Sequence, residues 1–391
     1  MPDTPLTLSP AALLIDLPPG ILCGIDLLSF TTSGRFRGIK DLPPGWHFIY
    51  TSETASLSIR EGFWFEIPNS ASWSQPPLII RIWDAKLGVL TPCPENAYAS
   101  YRAQLSSLWV ENLTPYRQSA GNEPGEESGD WAELTADISP GLLTRFTGNP
   151  EWIITSASCA KQDRDEIPGL TAGEAIGNER ELGVLGIDLK RTWRHGAVGR
   201  ERTEGATDKS WALEDLVARW REEGEEWGKI IMGVMEVCFL MVLTVANFSC
   251  LEEWKRVLGL VLTCKTLVKK REAWFARFLE QLRKQLARGD DVEGGLFDMS
   301  DEGGAYLKDL LKGFKRNLEQ TFDEAQGERV REAMQELESF LKAEYGWELS
   351  DSFVRRGLLE LEDGEQVEME MDELLGEDER GEYAPVVVDL G

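Results

Sequence analysis

The chain has 391 residues, is 42% hydrophobic, and sets 68 acidic against 41 basic side chains for a formal net charge of -27. That length and apolar content suit two domains with real cores rather than one. Such a charge excludes binding nucleic acid by neutralising phosphates unless basic residues are strongly segregated, and makes basic protein surfaces the expected partners.

The opening "MPDTPLTLSPAALLIDLPPG" lacks the basic n-region of a secretory signal. Cys23, Cys93, Cys159, Cys238, Cys250 and Cys264 are scattered, with no C-x-x-C and no histidine near enough to complete a zinc set. Both features suit a cytoplasmic or nuclear protein in a reducing compartment.

Residues 1–156 read as a β-rich N-terminal domain. "GIDLLSFTTSGRFRGIKDLPPGWHFIYTS", "SLSIREGFWFEI" and "PLIIRIWDAKLGVL" mix β-branched and aromatic runs with Gly and Pro punctuation. "DLPPG" occurs at Asp16–Gly20 and again at Asp41–Gly45, each copy leading into an apolar run, which predicts two turn-and-strand entries. One helical interval is predicted there, "PENAYASYRAQLSSLWVENLTPY", with Tyr98, Arg102, Leu105, Leu108 and Trp109 near one face. "RQSAGNEPGEESGDWAEL" reads as an exposed acidic loop.

Residues 157–208 are charged and Gly-rich and read as a linker, with a short docked piece at "LGVLGIDLKRTW". Residues 209–347 show helical periodicity throughout. Leu213, Leu216, Val217 and Trp220 share a face, with Asp208 or Ser210 placed to cap it. "IIMGVMEVCFLMVLTVANF", Ile230–Phe248, is apolar nearly all round. Its Glu236 is costly in lipid, and the amphipathic segments after it need a central helix to cover, so a buried core helix is expected instead of a membrane span. Three further stripes follow, through Leu251 to Val261, Phe275 to Leu286 and Leu307 to Leu318, and a last helix carries Val330, Met334, Leu337, Leu341 and Tyr345. Six helices, five striped ones wrapped around one apolar member, make an all-α C-terminal domain.

Residues 348–391 form an acidic tail. Eleven Asp or Glu and one basic residue, Arg380, fall between 357 and 381, and the chain then closes on "EYAPVVVDLG". In an extended chain Val386, Val388 and Leu390 point to one side, Val387 and Asp389 to the other, and Pro385 suits a first strand position. A good strand with no neighbour of its own is expected to pair with a sheet in another protein, by β-augmentation through Tyr383, Val386, Val387, Val388 and Leu390. The acidic run before it has two readings, a solvated spacer or an electrostatic mimic that competes with RNA for a basic groove.

Signals for chemistry are sparse. His47 lies in the strand-like "GWHFIY" and His195 in the Gly-rich linker. Ser158–Lys161 matches S-x-x-K formally, but the partner motifs of Ser-Lys acyl enzymes are absent, as are P-loop and dinucleotide-binding glycine patterns. No enzyme, cofactor or metal site is expected.

Four segments in order carry a resemblance. Cys23–Tyr50 is similar to the opening block of the Aar-two (a-one cistron) splicing factor family: a G-I-D, an aromatic, F-x-G-[IV]-K and P-P-G-x-H-F. The matching positions are Gly24, Ile25, Asp26, Phe30, Phe36, Gly38, Ile39, Lys40, Pro43, Pro44, Gly45, His47 and Phe48. Gly199–Leu216 resembles the stretch that opens the helical domain in fungal members, and Val234–Lys265 the central helix pair around Phe239, Asn247 and Trp254. The closing "YAPVVVDL" resembles the end of fungal members.

The resemblance implies an α+β multidomain fold, a β-rich N-terminal domain followed by a VHS-like helical domain. It also implies a non-enzymatic assembly chaperone of the U5 small nuclear ribonucleoprotein (snRNP). Such a protein binds the RNase H-like and Jab/MPN domains of the large spliceosomal scaffold, Prp-eight, and holds off the helicase Brr-two and RNA, in cytoplasm and nucleus. Two other readings stay open at this point: a trafficking adaptor built on a VHS-like domain, and a hydrolase around Asp26 and His47.

Overall fold

A computed structural model of the chain describes residues 8–54, 58–70, 74–117, 130–166, 181–292, 296, 304–322, 326–349, 355–360 and 366–371. The chain divides into a compact unit of Met1–Leu337 and a second unit of Glu338–Gly391. The first opens with β1 (Ala11–Ile15), β2 (Leu22–Ile25), β3 (Leu28–Thr31), β4 (Gly38–Lys40), β5 (Gly45–Ser52), β6 (Glu61–Ile67), β7 (Leu78–Asp84) and β8 (Val89–Pro92). Helix α1 (Glu95–Leu108), β9 (Leu113–Pro115), α2 (Asp130–Leu134), α3 (Pro140–Thr147) and β10 (Ile153–Thr155) complete the N-terminal part.

Ten strands make two five-stranded sheets, ordered β8-β7-β1-β4-β9 and β10-β6-β5-β2-β3. The second is antiparallel throughout, and the first mixes parallel and antiparallel pairs, β1 running parallel to β7 and antiparallel to β4. Strand β1, "AALLI", is buried along its whole length because both of its faces are covered. Ala12 and Leu14 enter the core between the sheets with Ile25, Ile49, Phe63 and Phe65, while Ala11, Leu13 and Ile15 lie under Leu105 and Trp109 of the α1 segment. The helical face expected on α1 is the one that covers this sheet.

Both "DLPPG" copies run from one strand to the next: Asp16 follows β1 and Gly20 precedes β2, while Asp41 follows β4 and Gly45 opens β5. Each copy starts with an Asp at positive φ, 59° at Asp16 and 61° at Asp41, a conformation that Asp tolerates better than most side chains. Helices α2 and α3 are additions to the expected single helical interval. α3 has clear punctuation, with Ser139 accepting from the Leu142 N–H, Pro140 in the first turn and Gly148 left-handed at the end. Its eight residues are too short to hold helix alone, so its stability comes from burying Leu142, Leu143 and Phe146.

Between the two parts, Leu182, Leu185 and Ile187 are buried, and α4 (Arg200–Thr207) follows. Then come α5 (Ser210–Trp220), α6 (Lys229–Val245), α7 (Phe248–Val261), α8 (Leu267–Lys270), α9 (Glu272–Leu286), α10 (Ala305–Thr321) and α11 (Glu328–Tyr345). That is one more than the six expected from Ser210 onward, the addition being the single turn α8. The apolar run Ile230–Phe248 is not one helix: Ala246 turns left-handed at φ 53°, and Asn247 caps α7 by accepting from the Cys250 N–H. No helix among the described residues is long and apolar enough to cross a membrane. Neither of the expected residues, Asp208 or Ser210, caps α5; the Asp208 carboxylate accepts from Ser210, Lys265 and Thr266, and the Ser210 hydroxyl accepts from the Leu267 N–H, so both tie α5 to the start of α8.

In the second unit, β11 (Arg355–Glu360) and β12 (Gln366–Met371) form an antiparallel pair with Arg355 opposite Met371 and Glu360 opposite Gln366. This hairpin lies inside the stretch read as acidic tail. Val367, Met369 and Met371 alternate with Glu368 and Glu370, a period-two signal that the charge count obscured.

Gly38 has φ 151°, and a Cβ there would stand 2.1 Å from the Ala12 carbonyl oxygen, which the sheet cannot move. Gly38→Ala is therefore expected to destabilise the protein by more than about 2 kcal/mol in urea unfolding. Gly20→Ala, with positive φ but open space around it, should cost about 1 kcal/mol. Equal losses would show that backbone strain, and not the close approach to β1, sets the cost.

Candidate functional site

The strand residues expected to bind a partner, Tyr383, Val386, Val387, Val388 and Leu390, lie outside the described residues. Within the described residues two gatherings of buried polar groups join layers of the fold, one between the two sheets and one between the N-terminal part and the helices.

Between the sheets sits Asp26, at φ 53° in the two-residue turn from β2 to β3 and fully buried. Its Oδ1 accepts from the Phe48 N–H at 2.8 Å, and its Oδ2 lies 2.7 Å from His47 Nδ1 and accepts from the Tyr116 hydroxyl at 2.6 Å. His47 Nε2 lies 2.9 Å from the Pro43 carbonyl, an oxygen that can only accept. Both ring nitrogens thus face acceptors, the arrangement that suits an imidazolium beside a carboxylate. Burial would lower the His47 pKa, but the charge and hydrogen bond of Asp26 and the Pro43 carbonyl outweigh it and hold the pKa above the ordinary histidine value.

This cluster accounts for much of the first motif. Asp26, Pro43 and His47 are its members, and Phe48 supplies the amide. Gly24 is required because any Cβ would enter the Tyr50 ring at 2.1 Å. Lys40 donates to the Trp109 carbonyl at 2.7 Å and lies over its ring, joining β4 to the end of α1.

The second gathering is a seam. Trp46 donates its indole N–H to the Ile138 carbonyl, and Trp131 donates to the Trp46 carbonyl, so β5 is stapled to the α2–α3 segment. Glu236, in the middle of apolar α6, accepts the Asp137 N–H at 2.8 Å, while Asp137 in turn binds Arg277 of α9 at 2.6 Å. Burial, and then the nearby Asp137 charge, push the Glu236 pKa well above the usual carboxylate range, which favours the protonated acid inside the core. Asn247 donates to the Thr155 and Ser158 carbonyls at 2.8 and 2.7 Å, and Arg60 reaches the Thr244 carbonyl at 3.0 Å.

Further along α7, Glu253 accepts the Leu185 N–H at 2.8 Å, and Arg256 bridges Glu253 and Asp163. Burial raises the Glu253 pKa to about 7, against the opposing pull of the Leu185 N–H and Arg256.

These geometries hold structure in place. The Asp26–His47 pair resembles two thirds of a hydrolytic triad, but His47 is 1% exposed and both its nitrogens are engaged. With both nitrogens engaged, His47 has no free nitrogen with which to take a proton from a nucleophile, and the hydrolase reading therefore loses its site. Ser158 of the formal S-x-x-K match is buried, with its hydroxyl accepting from the Thr155 N–H. Among the described residues no group of His, Cys, Asp and Glu could hold a metal.

Comparison with known proteins places these features in a family. The model of the AAR2 N-terminal domain matches residues 9–148, and that of the AAR2 C-terminal repeat region matches residues 185–350. The Mus musculus protein AAR2 homolog is 24% identical over 301 residues, covering 70% of this chain and 74% of that protein. The Homo sapiens homolog is 23% identical over 301 residues with the same coverage, and the Caenorhabditis elegans homolog is 21% identical over 297 residues, covering 70% and 77%.

His47→Ala leaves Asp26 buried without its cation and is expected to cost about 3 kcal/mol or more in urea unfolding. A loss under about 1 kcal/mol would mean that the pair is not a structural lock. For Glu253 the folded state holds a proton that the unfolded chain releases near its ordinary value of 4.5, so stability falls as pH rises from there through about 7. Glu253→Gln should therefore gain on the parent protein by about 2 kcal/mol between pH 5 and 8. A difference that does not change with pH would place an ionised carboxylate at this position.

Proposed function

We infer that this chain, which belongs to the AAR2 family, is a non-enzymatic assembly factor of the U5 snRNP that supports pre-mRNA splicing. The observation carrying this reading is that both family domains occur in one chain in family order, with the first motif's residues forming its buried lock. Its partner is the large U5 scaffold protein Prp-eight, bound through the RNase H-like and Jab/MPN domains. While bound, it keeps the helicase Brr-two and RNA away during maturation, in cytoplasm and nucleus.

The physical support is consistent with this. A net charge of -27 favours a basic protein surface over RNA. Side-chain bonds from α6, α9 and the start of α7 to the N-terminal part make Met1–Leu337 a single body able to present a broad preformed surface.

The tail is the second grip. Tyr383–Leu390 adds a strand to a sheet of the scaffold, with Val386, Val388 and Leu390 filling pockets on one side. Ordering that strand costs about 1–2 kcal/mol per residue of backbone entropy, which edge pairing and apolar burial offset. Tethering to the folded part raises its effective concentration, so the grip can be tight yet open from one end.

Affinity purification of the full chain is expected to recover the spliceosomal scaffold as the main partner; its absence would overturn the reading. Deleting residues 382–391 should leave the thermal transition unchanged and weaken scaffold binding at least about tenfold. Unchanged affinity would remove the tail mechanism while leaving the assembly role intact. Added salt should slow association with the scaffold if the acidic surface steers the encounter.

A further inference from the structure

A cleft of about 1120 Å³ opens in the helical part where the α5–α6 connection meets the starts of α9 and α11. In a chain so acidic its walls are unusual: Arg221, Lys269, Lys270, Arg271 and Arg329 all line it and all are exposed. Three glutamates also line it, but two are already engaged. Glu226 pairs with Arg277 at 3.7 Å, and Glu272 accepts the Arg329 N–H at 3.0 Å. Among the described residues Lys269 and Arg329 make no ion pair.

Two tryptophans complete the wall. The Arg271 guanidinium stacks on Trp227 at 4.7 Å, and Trp227 meets Trp274 edge-on at 5.1 Å. Trp274 is 7% exposed, and its indole N–H has no hydrogen-bond partner among the described residues. The first turns of α9 and α11, of 15 and 18 residues, reach the same cleft, and α9 begins without a side-chain cap. Helix starts carry partial positive charge and unpaired N–H groups, which adds to the field of the five cations.

We propose that this cleft docks an acidic peptide segment of a partner protein, its carboxylates on the Lys269, Arg271 and Arg329 side and an apolar residue against Trp227. Arginine pairs with carboxylates through two hydrogen bonds, and a short acidic segment brings only a few charges into the repulsive field of the whole protein. RNA brings a phosphate at every nucleotide and meets that repulsion along its length. The site is independent of the closing strand, so its failure would leave the tail mechanism untouched.

Fluorescence anisotropy of a labelled ten-residue Glu/Asp peptide with one central Phe, titrated with the full chain at low salt, tests the proposal. Saturable binding is expected, weakened at least about tenfold by Lys269→Glu combined with Arg329→Glu, as removal of charge-assisted contacts requires. Trp227→Ala should weaken binding of the Phe-containing peptide more than that of its all-acidic counterpart. Circular dichroism melting of each variant reports whether the fold is kept, and Lys269→Gln, a milder exposed change, serves if the double variant unfolds. Absence of peptide binding, binding indifferent to these substitutions, or preference for a labelled ten-nucleotide uridine RNA would each overturn the proposal.

Discussion

A helix that is apolar on every side must be covered on every side, and α6 sets this requirement for the whole first unit. Fifteen of its seventeen residues are buried, far more than one neighbouring helix could shield. Each large side chain so covered contributes about 1.5–3 kcal/mol, so an exposed flank would be expensive. α7 and α5 cover part of the helix, and α3 of the N-terminal part covers more, with Leu142 against Gly233. The sheets and the helices therefore form one compact body through Leu337.

Apolar burial sets no unique position for one layer on another; the polar groups do that. Asp26, His47 and Tyr116 bind the two sheets at one end, while Glu236, Asn247 and Arg60 bind the N-terminal part to the helices. A misplacement of an ångström or two would leave buried donors and acceptors unpaired, at about 1–3 kcal/mol each. Such rigidity suits a docking surface, because a preformed surface loses little entropy on binding.

Much of this was legible from residue patterns. The helical stripes through Leu213 to Val217, Phe275 to Leu286 and Leu307 to Leu318 point inward as their spacing requires. The "DLPPG" copies lie between strands, and α1 covers its sheet with the face its periodicity marked. Short elements were harder to read. α3 has a cap, a first-turn proline and a terminal glycine, yet eight residues hold helix only when packed. Asn247 between two apolar runs was the available sign that Ile230–Phe248 is a helix, a turn and a second helix start.

What the sequence determined by itself is the class of fold, the order of its parts and the central place of α6. Those depend on local periodicity and composition, which neighbouring residues carry. Asp26 and His47 could be paired from the sequence, but tertiary structure alone decided that Tyr116 and Pro43 close around them, that Glu236 meets the Asp137 amide, and that five cations gather around two tryptophans in an acidic chain. Asp26 and Tyr116 lie 90 residues apart, and Asp137 and Arg277 lie 140 apart. No local pattern encodes such pairings; they follow from which buried donor finds which acceptor once the layers close.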